Sequence, residues 1–248
     1  MINIQSSVTA PPQQTDRQHL VLLHDLFGNL SNWQQVSDEF SSGHTVQIPK
    51  LPLYEFSLTE RRLDHLAHYL DRYIENNKLK KVVLVGNSIG GHIALLYTLK
   101  YPHKVSKLVL TGSSGLYENS FNRTFPRVKD FAYIREKVSY TFYQKDVVTE
   151  TLVNEVYDTV QDTGNVLSII TLARAAQKQN LSNCLGRIKV PVLLIWGLQD
   201  NITPPEVALK FKELLPDARL RFIDKCGHVP MMEQPALFNQ YLKEFLEE

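Results

Sequence analysis

Gly86-Asn87-Ser88-Ile89-Gly90-Gly91 follows the apolar run Lys81-Val82-Val83-Leu84-Val85 and opens the helix-like stretch His92-Ile93-Ala94-Leu95-Leu96-Tyr97. One serine therefore stands at a strand-to-helix corner between glycines. Such a turn holds the serine backbone in a strained conformation that pushes its hydroxyl clear of the chain, and a side chain at Gly86 or Gly90 would collide with it. Ser88 is the candidate nucleophile. Ile89 begins a helix whose first N–H groups and positive dipole end favour an anion beside Ser88.

Around this corner, short Val/Ile/Leu-rich runs alternate with longer amphipathic stretches. Leu20–His24, Thr45–Ile48, Lys81–Val85, Lys107–Thr111, Val190–Trp196 and Leu220–Asp224 read as strands, the pattern of a parallel sheet. Leu63, Leu66, Ala67, Leu70, Tyr73 and Ile74 recur at helical spacing on one face, with Ser57 or Thr59 placed to cap that helix. Further helices are expected near Leu30–Phe40, Gly91–Tyr101, Pro205–Leu215 and Pro235–Leu246. From about Gly115 to Cys184 no strand is evident, and helix-like patches at Thr149–Val160 and Val166–Gln179 dominate. The expected architecture is thus α/β: a mostly parallel central sheet flanked by helices, with residues 1–114 and 186–248 as core and residues 115–185 as a helical lid inserted between strands.

The 248 residues, 43% of them apolar, suffice for one large domain with a full core. Twenty-seven basic against 26 acidic residues give a net charge of +1, too weak a field to argue for nucleic acid or an anionic membrane as partner. A small-molecule substrate is the expected partner, with a homodimer left open. No segment reaches transmembrane length and the N-terminal residues lack a basic and apolar leader, so a cytoplasmic location is expected. Two cysteines, Cys184 and Cys226, are too few for a disulfide scaffold. Cys226 lies two residues before His228, but near neighbours on one chain rarely aim at each other, and a packed thiol is the better reading. His65 and His68 stand at i and i+3 without an acidic or cysteine ligand spaced to complete a metal site, so no metal is expected.

A serine hydroxyl needs a base, and the base an acceptor that fixes its tautomer. Trp196-Gly197-Leu198-Gln199-Asp200 puts a carboxylate just beyond one strand and Cys226-Gly227-His228 an imidazole just beyond the last, at the strand ends where such sheets form their sites. Ser88, Asp200 and His228 are the candidate catalytic residues, in the order used on strand-to-helix corners of this kind. Negative charge on an attacked carbonyl oxygen would be met by backbone N–H groups of Leu26, in the loop after the first strand, and of Ile89. The first half of the insertion is dense in aromatic rings. Phe121, Phe125 and Tyr140, with Phe27 and Val229, are candidates to line an apolar pocket, although such rings also serve as the insertion's own core.

With the corner, the late acid, the late histidine, the oxyanion loop and the insertion in order, the chain resembles the α/β-hydrolase superfamily over nearly its whole length. The hexapeptide looks most like that of small esterases and of hydrolases that cleave carbon–carbon bonds of aromatic ring-fission products. The resemblance implies hydrolysis without metal or organic cofactor: of a small carboxylic ester or thioester through an acyl-enzyme on Ser88, alternatively of a carbon–carbon bond in a meta-cleavage-type diketone. Some relatives with these three residues act instead as ligand receptors with little turnover. Three departures stand out. The oxyanion loop, usually His-Gly, reads His24-Asp25, and the loop Pro49–Ser57 lacks the usual glycines. The carbon–carbon bond hydrolases carry a lid arginine and a tryptophan after the histidine, where this chain has Val156 and Val229. Arg123, Arg127, Lys129, Arg135 and Arg174 remain as insertion residues that could meet an acidic substrate.

Overall fold

The computed structural model describes residues 17–27, 33–55, 62–119 and 127–248. Phe121, Phe125, Arg123, Ser57 and Thr59 lie outside them. Six strands form one sheet: β1 (His19–Leu23), β2 (Thr45–Gln47), β3 (Val82–Asn87), β4 (Val105–Thr111), β5 (Val192–Gly197) and β6 (Ala218–Ile223). Their spatial order is β2-β1-β3-β4-β5-β6, and every pairing is parallel. Helices α1 (Gln34–Phe40), α2 (Leu63–Asn76), α3 (Ile89–Lys100), α4 (Phe131–Thr141), α5 (Glu150–Gln161), α6 (Thr163–Lys178), α7 (Pro205–Leu214), α8 (Pro230–Glu233) and α9 (Pro235–Glu247) complete the described elements.

Side chains on a strand alternate between faces, so a sheet covered on both sides needs apolar residues at every central position. Val21, Leu23, Val82 and Leu84 join one core with α2, α3 and α7, whereas Leu20, Leu22, Val83 and Val85 join the other with α1, α9 and the α4–α5 pair. The edges are blunted: β2 has three residues, and β6 carries Arg219 and Arg221. The strand order reverses between β1 and β3, the place where a crevice opens at the carboxyl ends of such a sheet.

Each sequence-predicted strand is present, shifted by a residue or two; His24, Ile48 and Asp224 fall just past the strand ends. Helix α3 is buried on nearly all sides, from Ile89 to Thr98, as its unbroken apolar composition requires. The described start of α2 is Arg62, which makes no side-chain cap bond. Among the described residues between β4 and β5 there are three α-helices, α4 preceding the two that the sequence reading singled out. All three begin on a side-chain cap: Asp130 accepts from Tyr133 N, Thr149 from Leu152 N and Asp162 from Asn165 N. No helix among the described residues is long and apolar enough to cross a membrane.

Candidate active site

Ser88 sits between β3 and α3 at φ 54° and ψ −121°, a backbone conformation that side chains rarely adopt. The main chain around it is fully engaged: Ser88 N donates to Thr111 O at 3.1 Å, and Ser88 O accepts from Ser114 N at 3.1 Å and from His92 N at 3.2 Å. The glycines are explained by close approach. A Cβ on Gly86 would lie 2.6 Å from the backbone of Gly90 and Gly91, and one on Gly90 would strike the carbonyl oxygens of Leu23 and His24.

Asp200 and His228, 28 residues apart, come together beyond β5 and β6. His228 Nδ1–H donates to Asp200 Oδ2 at 2.9 Å, with Oδ1 at 3.1 Å. The acid is held by three further donors: Ile202 N at 2.8 Å and Thr203 N at 3.0 Å to Oδ1, and the Thr203 hydroxyl at 2.8 Å to Oδ2. Both side chains are buried, Asp200 at 3% and His228 at 4% residue exposure. The histidine is anchored beside the corner, because Asn87 Nδ2 donates both to Thr111 O (3.0 Å) and to His228 O (3.1 Å). Burial alone would lower the His228 pKa, but the Asp200 carboxylate, aided by Asp25 and Glu118, outweighs it and holds the imidazole above its ordinary 6.5.

Sequence reasoning missed four residues here. Gly112, at φ +50°, backs the histidine so closely that a Cβ would lie 2.8 Å from His228 Nδ1 and 2.9 Å from Cε1. Gly197 ends β5 against the carbonyls of Cys226 and Gly227 and admits no side chain. Glu233, on α8, accepts from Gly227 N at 2.7 Å with Oε1 and from Tyr143 N (2.8 Å) and Gln144 N (2.9 Å) with Oε2. It thereby joins the histidine loop to the segment after α4, and the last residue of α4 also accepts a bond from His228 N through Thr141 O at 3.0 Å. Glu118 is the fourth; its burial raises its carboxyl pKa. The glycines just past two strands were the available signal; the glutamates gave none.

The loop after β1 fixes the orientation of Asp25. The carboxylate points neither at open solvent nor away from the loop: at 6% exposure it accepts from Phe27 N at 2.9 Å, closing a turn around Leu26. Tyr54 braces the same turn by donating its hydroxyl to Leu26 O at 2.7 Å. His24 Nε2 accepts from Leu51 N at 2.9 Å, which leaves the proton on Nδ1 to be donated to Asp25 O at 2.8 Å. Burial lowers the His24 pKa and so favours this neutral, bridging form. Ile89 is the first residue of α3, where helix geometry gives its N–H no intrahelical acceptor.

Of the pocket candidates, Phe27, Tyr140 and Val229 are among the described residues. Val229 is fully buried in the core with Met231 and Phe238, and Phe27 packs half-buried against that core. Tyr140 is 46% exposed. Cys226 is buried, with its thiol pKa pushed up by burial and its Sγ 3.8 Å from Gly227 O, so it is a packed thiol. His65 and His68 are exposed on α2. Among the described residues no group of three His, Cys, Asp or Glu side chains could hold a metal ion.

The family model of the alpha/beta hydrolase fold matches residues 18–235. This chain belongs to that family. Among curated proteins it is 28% identical over 261 residues to the 2-hydroxy-6-oxononadienedioate/2-hydroxy-6-oxononatrienedioate hydrolase of Paraburkholderia phymatum, covering 93% of this chain and 87% of that one. It is also 28% identical to the 2-hydroxy-6-oxo-6-phenylhexa-2,4-dienoate hydrolase of Burkholderia cepacia, covering 88% and 83%. Among solved structures it is 40% identical, with a TM-score of 0.75 and coverage of 93% and 91%, to an alpha/beta hydrolase enzyme from the metagenome of sediments of the Mar Chica lagoon, Morocco. The 2-hydroxy-6-oxo-6-phenylhexa-2,4-dienoate hydrolase of Rhodococcus sp. strain RHA1 superposes at a TM-score of 0.81 over 94% and 91%; its 21% identity speaks for the fold alone. The protein is a hydrolase of this family.

Proposed function

We propose that the protein is a serine hydrolase of small carboxylic esters or thioesters. The observation that carries this reading is the buried Asp200–His228 pair whose main chain is tied through Asn87 to the strained corner at Ser88. In the proposed cycle Ser88 Oγ attacks the carbonyl carbon while His228 Nε2 takes the hydroxyl proton. The oxyanion is met by the N–H groups of Leu26 and Ile89. Collapse expels the alcohol or thiol, which receives the proton from His228, and water activated by the same imidazole then releases the acid and frees Ser88. Residues 115–185 are proposed to cover the site as a lid.

A second reading, carbon–carbon bond cleavage in a dienoate, is favoured by the names of the relatives. Against it stands the arrangement of basic residues in the insertion. Of the insertion cations among the described residues, Arg127, Lys129 and Arg174 are exposed, and Arg135 is paired with Glu150 over the Phe131 ring; Arg123 lies outside the described residues.

The test is labelling with a fluorophosphonate alongside turnover of short-chain aryl esters. Ser88→Ala is expected to abolish labelling and to lower kcat by about 10³-fold or more, with the fold intact by circular dichroism. Equal labelling and equal rates in both proteins would refute Ser88 as nucleophile. The pH profile carries a second expectation. His228 must be neutral to accept a proton, and Asp200, Asp25 and Glu118 favour its charged form, so kcat/KM falls as the pH drops, with a midpoint above 6.5. A midpoint below 6.5 would contradict the electrostatic account.

A further inference from the structure

Glu118 lies on the segment leaving β4, between the corner and the acid loop. At one end Ser114 N donates to Ser88 O at 3.1 Å; at the other, Asn119 N donates to Ile202 O at 2.8 Å and Asn119 Nδ2 to Asn201 O at 2.9 Å. Pinned between them, the half-buried Glu118 side chain has a hydrogen bond from the Ser114 hydroxyl to its carboxyl, while Oε1 is buried without a hydrogen-bond partner among the described residues. A carboxylate oxygen in that state is costly, and such atoms in folded proteins call for a missing donor. The charge of Glu118 is felt at His228, together with those of Asp200 and Asp25; among the described residues no cation is one of the groups acting on that imidazole.

We propose that Glu118 is a specificity residue of this site, accepting a cationic or N–H-bearing group of the substrate. The site would then prefer esters with positive charge near the scissile carbonyl and reject anionic ones. The inference rests on the ester-hydrolase reading for its turnover arm. It also accounts for the contrast with relatives named for dienoates, whose substrates bring a carboxylate into the pocket. Here an incoming carboxylate would meet the charges of Asp25, which is buried, and of Glu118, which is half-buried, both acting on a histidine already paired with Asp200.

The experiment compares kcat/KM for butyrylcholine, its uncharged isostere 3,3-dimethylbutyl butyrate, and a succinate monoester, at about pH 8.5 so that a carboxyl raised by burial still carries charge. The choline ester is expected to exceed the isostere by about fivefold, the scale of a partly solvated ion pair, and the succinate ester to trail both. Glu118→Gln should bring the first ratio to about one, with the fold intact by circular dichroism. Calorimetric titration with choline and with 3,3-dimethylbutanol reads the same discrimination without turnover. Charge selection there in a protein that hydrolyses no ester would defeat the ester reading and keep this one. An unchanged ratio in a folded Glu118→Gln variant, or a wild-type protein that favours the succinate ester or ignores charge, overturns the proposal.

Discussion

Asp200→Asn is expected to lower kcat by about 10⁴-fold while leaving the protein folded, the size of effect seen when the acid of a serine–histidine–aspartate site becomes an amide. The hydrogen bonds dictate how. Oδ1 accepts from two backbone N–H groups, Ile202 and Thr203, so the amide oxygen must take that place and the NH₂ group falls at the Oδ2 position. There it meets His228 Nδ1 at 2.9 Å. Two donors cannot share that contact, so the imidazole moves its proton to Nε2, the nitrogen that should take the proton of Ser88. Steady-state kinetics with an aryl ester, together with the imidazole proton resonances, separates this from unfolding. Activity within tenfold of wild type would mean that Asp200 does not set the tautomer.

Gly112→Ala is expected to cost about 10²-fold in kcat and about 1–2 kcal/mol in stability. Two penalties add at one atom. The backbone is at φ +50°, which alanine resists, and the new methyl would press on the face of His228 at the nitrogen bonded to Asp200. Relief by moving the ring stretches the Asp200 bond; relief by moving the chain disturbs Thr111 O, which accepts from Ser88 N. Urea denaturation and kcat measured on the same preparation check both parts. Full activity with only a stability loss would show that the imidazole has room to withdraw.

The contrast between these residues shows what the sequence could disclose. Strands β1, β3, β4 and β5 were legible because a sheet covered on both faces demands unbroken apolar runs, and a run such as Val82–Val85 has few other uses. Ser88, Asp200 and His228 were legible because each follows a strand, and the ends of parallel strands converge. Glu233 was not: its three backbone donors come from Gly227, Tyr143 and Gln144, and nothing local marks an acid that will be buried by segments about ninety residues apart. Asp25 stood out in the sequence only as a departure from His-Gly; its carboxylate closes the turn around Leu26, a role decided by one backbone N–H two residues on. Tyr140, of the insertion's aromatic residues, was illegible for another reason. Helix α4 has only Ile134 and Val138 buried, so ring content alone could not say that Tyr140 would face outward.

The shared acceptor at Glu233 constrains how such a protein can diversify. Composition can drift on the exposed faces of α4, α5 and α6, whose caps lie within the same stretch, while their buried residues stay bound to the two cores of the sheet. The seam at Thr141–Gln144 cannot drift in the same way, since an added or deleted residue there would pull on Gly227 and His228 directly. Chimeras that borrow an insertion from another family member should therefore place their junctions so as to retain those four residues together with Glu233.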